Sequence, residues 1–101
     1  MTITANGVDE LRALSGADLG HTDWMEITQD RVHTFADATD DHQWLHVDVE
    51  KATAGPFGGP IAHGYLTLAL IIPLLNELLG IGDISMSVNY GLTVYRHYAG
   101  A

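Results

Sequence analysis

Residues 60–80 read PIAHGYLTLALIIPLLNELLG, and the apolar character of this stretch is the strongest indication of the fold. Its central part is almost entirely aliphatic, so a helix built from it is apolar on all sides. Such a helix is stable in water only when other elements cover most of its circumference. The pattern predicts one long helix from about Pro60 to Gly80, with a bend at Pro73, where the ring removes an intrahelical hydrogen bond.

The same stretch is a poor membrane span. His63, Thr67, Asn76 and Glu77 interrupt it, whereas a spanning helix needs about 20 predominantly apolar residues. The first 14 residues carry Asp9 and Glu10 instead of a basic segment followed by an apolar one, which is unlike a signal peptide. We therefore expect a soluble, cytoplasmic protein in which this helix is buried.

Shorter elements flank the helix. Thr28 resembles an N-cap, and the apolar residues Val32, Phe35 and Ala36 follow it at helical spacing. The segment 23–27 is predicted to be a short strand or an extended entry to the helix that runs from Thr28 to about Ala38. The other predicted elements are a loop over 39–46, a short helix over 48–54 capped by Asp48, and a strand over 84–95 with a bulge at Gly91. Strands around one apolar helix indicate an α+β fold.

Length and composition limit the possible functions. The 101 residues carry 4 Lys and Arg against 13 Asp and Glu, a formal charge of −9. This size indicates a single domain over residues 1–101. Because the four cations are scattered singly, nucleic-acid binding through a basic face is not expected. The absence of cysteine excludes disulfides, thiolate nucleophiles and thiolate metal sites.

The densest group of chemically competent side chains lies at residues 40–48, DDHQWLHVD. Asp41 and His46 are five positions apart and can converge if this segment is a loop. A carboxylate beside an imidazole is a common pair for proton transfer. The structural alternative is a solvated acidic loop whose histidines have no chemical role.

A metal site is a second interpretation of the same segment. His42 and His46 are four residues apart, with the carboxylates of Asp40, Asp41 and Asp48 nearby. However, the segment has no helical pattern around the pair and lacks the glutamate of an H-E-x-x-H motif. We therefore expect no metal.

The junction between the glycine-rich turn at 55–60 and the long helix is another candidate site. A helix N-terminus can stabilise an oxyanion, and Gly64 allows a substrate carbonyl to approach closely. The alternatives are ordinary turn chemistry for the Gly and Pro residues and a structural role for His63. The turn matches neither G-x-G-x-x-G nor the P-loop, and the chain has no G-x-S-x-G motif.

Three segments, residues 35–48, 55–64 and 88–92, together resemble the MaoC-like dehydratases. These are (R)-specific enoyl-thioester hydratases of the hot-dog fold, and the similarity is greatest to the (3R)-hydroxyacyl-thioester dehydratase branch. The resemblance implies an antiparallel sheet wrapped around a long central helix. It also implies a hydro-lyase that reversibly adds water to trans-2-enoyl thioesters and forms (3R)-hydroxyacyl thioesters.

The resemblance also implies roles for individual residues. Asp41 and His46 correspond to the catalytic pair, and Gly64 to the residue whose backbone N–H binds the thioester oxygen. Gln43 replaces an Asn found in many members and would order the pair or the substrate carbonyl. The other expected substrate-binding residues are Ala62, His63, Asn89, Tyr90 and Gly91.

The resemblance implies an acyl thioester of coenzyme A or of a carrier-protein pantetheine as substrate, no separate cofactor or metal, and a homodimer. Family domains continue with further strands after the segment that ends near Arg96, so the fold is expected to be C-terminally incomplete in this chain. Two alternative functions therefore stay open: a truncated, inactive hot-dog homologue that acts as a binding module, and a hot-dog thioesterase.

Overall fold

The computed structural model describes residues 2–93, which form a mixture of helices and a small sheet. The elements in chain order are β1 (Ile3–Asn6), α1 (Gly7–Ala13), α2 (Gln29–Thr39), α3 (Trp44–Val47), α4 (Val49–Thr53), α5 (Gly64–Ala69), α6 (Ile71–Leu78) and β2 (Leu79–Gly82). Asp23–Ile71 form one compact unit, here called the site unit. The described residues of 1–22 and 72–101 form the other, the strand unit. The coarse prediction of an α+β chain is confirmed.

Helix α2 is the core element of the site unit and follows the prediction. It begins after Thr28, whose side chain accepts a hydrogen bond of 3.1 Å from the Arg31 backbone N–H. Val32 and Ala36, at i and i+4, are 3% and 0% exposed. One face of α2 is therefore buried, as the apolar spacing predicts.

The segment after α2 is only partly the loop that the sequence predicts. α2 ends at Thr39, and the left-handed backbone of its C-cap Asp40 (φ 59°) turns the chain away from the helix axis. Residues 41–43 are irregular, but α3 then forms a single turn from Trp44 to Val47. The Asp48 side chain accepts a 3.0 Å hydrogen bond from the Lys51 backbone N–H, which confirms it as the cap of α4.

The prediction of one long helix over 60–80 is wrong. Residues 60–63 have no regular secondary structure, α5 ends at Ala69, and α6 begins separately at Ile71. Proline explains the break, because Pro73 has no N–H to donate to the Ala69 carbonyl. Restarting the helix at Ile71 places Pro73 in the first turn, where no intrahelical donor is needed.

The strand unit contains the two strands of the described residues, and they are parallel. Ile3 pairs with Leu79 and Asn6 with Gly82. Helix α1 follows β1 directly and contacts both strands, which is the helix cover that parallel strands normally have. The expected antiparallel sheet around a helix is therefore not present in the part of the chain that the structure describes.

Two segments for which strands were considered form none within the described residues. Residues 23–27 are irregular, and so are residues 84–92, while 94 and 95 lie outside the described residues. A strand needs a hydrogen-bonded neighbour and a covered apolar face. Met86 and Val88 alternate as a strand requires but are 74% and 71% exposed, so no face is buried.

Within residues 2–93, none of the helices is long and apolar enough to cross a membrane.

Replacing Thr28 with Ala is expected to lower the free energy of unfolding by about 1 kcal/mol, because the α2 N-cap loses its side-chain acceptor. Thr34→Ala is the matched control: Thr34 lies mid-helix on the exposed face, where its hydroxyl bonds only the Asp30 carbonyl. Urea titrations followed by circular dichroism measure both. Equal losses for the two variants would contradict the capping role.

Candidate active site

Two segments of the site unit build the candidate site: residues 41–47, and residues 61–63 that precede α5. The Ile61 backbone N–H donates to the Leu45 carbonyl at 3.0 Å. In return, the Ile61 carbonyl accepts a hydrogen bond of 2.7 Å from Nδ1 of His46. Because both backbone groups of Ile61 are used, the two segments are held at a fixed distance from each other.

His46 lies on α3 and is only 9% exposed. A carbonyl oxygen can only accept, so the bond to Ile61 places a proton on Nδ1 of His46. In the neutral ring Nε2 then carries the lone pair. The Gln29 amide donates to the His46 carbonyl at 2.7 Å and ties α2 to α3. His46 is thus fixed through both its ring and its backbone.

His63 is the second buried histidine, at 2% exposure. Its Nε2 lies 2.9 Å from the backbone carbonyl of Asp41 and must therefore be the donor. Its ring stacks on that of His46, with centroids 3.9 Å apart and planes inclined by 25°. The Phe35 ring contacts it at 4.9 Å between centroids. Nδ1 of His63 is buried without a hydrogen-bond partner in the structure.

These contacts bring the predicted pair together. One carboxylate oxygen of Asp41, one ring nitrogen of His46 and one of His63 all lie within 4.8 Å of one another. Asp41 is exposed, whereas both histidines are buried. The exposed Asp41 carboxylate is therefore close to two imidazoles whose orientation is set by hydrogen bonds to backbone carbonyls. This arrangement can hold a small polar molecule and exchange a proton with it.

Three more predicted residues adjoin this cluster in sequence. Gln43 is exposed and precedes α3, with its carbonyl accepting a 3.0 Å bond from the His46 backbone N–H. Ala62 lies between Ile61 and His63 in the segment before α5. Gly64 is the first residue of α5 and is partly exposed. The site unit thus contains six of the nine residues predicted for the site.

The other three predicted residues, Asn89, Tyr90 and Gly91, belong to the strand unit. They lie in an irregular segment and are exposed, and the Tyr90 side chain is fully accessible to solvent. Their role in binding substrate stays a prediction.

Sequence reasoning missed the residues that orient the site through the backbone. Gln29 reads as an ordinary residue of the first turn of α2, yet its amide reaches His46 across 17 positions. Ile61 reads as an apolar residue before a helix, yet its peptide groups join the two segments. No sequence pattern marks such contacts, because they depend on where two distant segments meet.

The positions of His42, His46 and His63 do not favour the metal site considered for residues 40–48. His42 is half exposed and bonds Asp37 at 3.1 Å, away from the buried histidines. The three-residue cluster instead contains His46 and His63, whose rings lie in nearly parallel planes. A metal must lie in the plane of each ligating ring, at about 2.1 Å from its nitrogen. Stacked rings do not direct their lone pairs at one such point.

Comparison with known proteins identifies the family of the chain. Residues 11–97 match the family model of the MaoC like domain. The chain belongs to the MaoC-like domain family. It is 48% identical, over 92% of its length, to 3-hydroxyacyl-thioester dehydratase Z of Mycobacterium tuberculosis (strain ATCC 25618 / H37Rv). It is 43% identical, over 88% of its length, to Nodulation protein N of Rhizobium meliloti (strain 1021). The resemblance inferred from the sequence motifs is confirmed.

The chain of this MaoC-like protein spans 62% of the length of the Mycobacterium tuberculosis relative and 56% of that of the Rhizobium meliloti relative. The matched stretch contains both segments of the site, 41–47 and 61–63, because the family match runs from residue 11 to residue 97. The cluster therefore lies within the part of the chain that matches the family.

We expect the purified protein to contain no stoichiometric transition metal, because the nearly parallel planes of the His46 and His63 rings are unsuited to binding one ion. Elemental analysis of protein purified without chelator measures this directly. One equivalent of zinc or iron that is lost in both Asp41→Asn and His63→Phe would contradict the prediction.

Proposed function

We propose that the protein is a hydro-lyase that reversibly adds water to trans-2-enoyl thioesters and forms (3R)-hydroxyacyl thioesters. The observation that carries the proposal is the approach of the Asp41 carboxylate and the His46 and His63 rings to within 4.8 Å of one another. The family supports the same chemistry, since one relative is named a 3-hydroxyacyl-thioester dehydratase.

The cluster has the dimensions of a water site. A water molecule at hydrogen-bond distance from two partners, with tetrahedral geometry, separates them by about 4.6 Å. The carboxylate of Asp41 accepts a hydrogen bond from one O–H of the water, and Nε2 of His46, which carries the lone pair of the neutral ring, accepts a hydrogen bond from the other. This pair orients the oxygen and removes its proton as the oxygen attacks.

The Asp41–His46 pair can take up and return the one proton that the reaction transfers. In hydration the water oxygen bonds to C3 of the enoyl group, and one water proton passes to the Asp41–His46 pair. The C2–C3 double bond shifts toward the thioester carbonyl, which gives an enolate-like state, and the pair then delivers a proton to C2 on the same face. Dehydration follows the reverse course, and no redox cofactor is required.

The negative charge that develops on the thioester oxygen needs a donor. We assign this role to the backbone N–H of Gly64, the first residue of α5. A helix N-terminus carries the positive end of the helix dipole, and glycine places no side chain between backbone and substrate. Gln43 and Ala62 are proposed to contact the substrate near Gly64, and Asn89, Tyr90 and Gly91 stay proposed substrate-binding residues whose place relative to Gly64 is not part of the proposal.

We further propose that the substrate is a thioester of coenzyme A or of carrier-protein pantetheine, that no separate cofactor or metal takes part, and that the complete protein is a cytoplasmic homodimer with the hot-dog fold. The exposed, alternating apolar residues from Ile84 to Leu92 support the proposed hot-dog fold, in which further strands would pair with this segment. Their period of two is that of a strand, and a strand with an uncovered apolar face requires a neighbour.

Asp41→Asn and His46→Asn are expected to lower kcat for crotonyl-CoA hydration by about 10²–10⁴-fold, because each removes a proton acceptor. Asparagine at position 46 places its amide N–H near the position of Nδ1, so the bond to the Ile61 carbonyl is retained. His42→Gln is the matched control, since His42 bonds only Asp37 among the described residues, and it should hydrate at the wild-type rate.

Loss of the enoyl absorbance and release of free thiol are measured in the same reaction. Hydration without thiol release is expected, with (3R)-hydroxybutyryl-CoA as product. Thiol release that depends on Asp41 would instead identify a thioesterase. A folded wild-type chain that leaves crotonyl-CoA unchanged would contradict the proposed function and favour a binding module.

A further inference from the structure

We propose that His63 is a positioning residue that fixes both members of the Asp41–His46 pair, rather than a residue that only lines the substrate site. The inference rests on the proposed function and extends it. His63 is joined to Asp41 by a hydrogen bond and to His46 by ring stacking, so a single buried side chain contacts both members of the pair.

The first contact sets the backbone at Asp41. Nε2–H of His63 donates to the Asp41 carbonyl at 2.9 Å, across 22 positions of sequence. Asp41 is exposed, and it follows a residue in the left-handed region, Asp40. Neither a helix nor a strand holds the Asp41 backbone. The bond from His63 supplies the fixed point from which the Asp41 carboxylate projects.

The second contact sets the ring of His46. Nδ1 of His46 is bonded to the Ile61 carbonyl, which holds one edge of the ring but does not cover its faces. The His63 ring lies against its face at 3.9 Å between centroids, and Phe35 contacts His63 in turn. The stack therefore sets the plane of His46 and, with it, the direction of Nε2.

The second ring nitrogen of His63, Nδ1, indicates why a histidine and not an apolar ring occupies this position. Nδ1 is buried without a partner among the described residues, and an unsatisfied buried acceptor costs folding free energy. Phenylalanine would fill a ring-shaped space at this position without that cost. What phenylalanine cannot supply is the Nε2–H donor to Asp41, so the donor is the feature that distinguishes histidine here.

Two substitutions separate the donor from the ring. His63→Phe keeps a ring on His46 but removes the donor, whereas His63→Gln places an amide N–H close to the position of Nε2 and removes the ring. We expect H63F to lower kcat for crotonyl-CoA about 10–100-fold with little change in KM, since misplacement of a reacting group mainly slows the chemical step. H63Q should recover a substantial part of that loss.

Ring ¹⁵N NMR tests the same inference without an activity assay. In the wild type we expect His63 protonated on Nε2 and His46 on Nδ1, each as a single tautomer. A proton on Nδ1 of His63 would overturn the inference, including in the case that neither variant folds. A folded H63F variant with wild-type kcat, or H63Q no more active than H63F, would also overturn it.

These outcomes are separable from the proposed function. If the wild type is inactive toward enoyl thioesters, the hydratase proposal fails. Positioning is then decided by whether H63F, with an unchanged melting temperature, shifts or broadens the side-chain carboxyl ¹³C resonance of Asp41, since this variant loses the Nε2–H donor to the Asp41 carbonyl. An unchanged Asp41 resonance in H63F would overturn positioning.

Discussion

The site depends on the exchange of hydrogen bonds between residues 41–46 and residues 61–63. The peptide groups of Ile61 bond to Leu45 and His46, and the ring of His63 bonds back to Asp41. Both segments are short and neither is held by a sheet, so each needs the other to fix its backbone. Because these bonds end on backbone carbonyls, they determine where each histidine carries its proton as well as where each ring lies.

This arrangement explains why a small unit has polar residues in its core. His46 and His63 are buried together with Val32, Ala36 and Leu66. Burying imidazoles is tolerable when their N–H groups have acceptors, and the carbonyls of Ile61 and Asp41 supply them. The rigidity of the core is thereby transferred to the site, while the Asp41 carboxylate stays exposed to a substrate.

The sequence predicted the structural features that are determined by residues close together in the chain. The caps at Thr28 and Asp48, the buried face of α2 and the family membership of the chain were all indicated by patterns of residues a few positions apart. The single long helix failed because the effect of Pro73 is to restart the helix rather than bend it. The strand over 84–95 failed within the described residues because its apolar alternation has no covering partner there. The roles of Gln29 and Ile61 arise only when distant segments meet.

Residue-resolved hydrogen exchange tests the contact between the two segments most directly. If Ile61 is part of the site's framework, its amide, bonded to the Leu45 carbonyl, should open only with the site unit as a whole. We expect its protection to equal that of the Ala36 amide in the centre of α2. Exchange at Ile61 as fast as at the exposed residues 84–92 would show that the two segments separate freely, which would contradict a site held together by them.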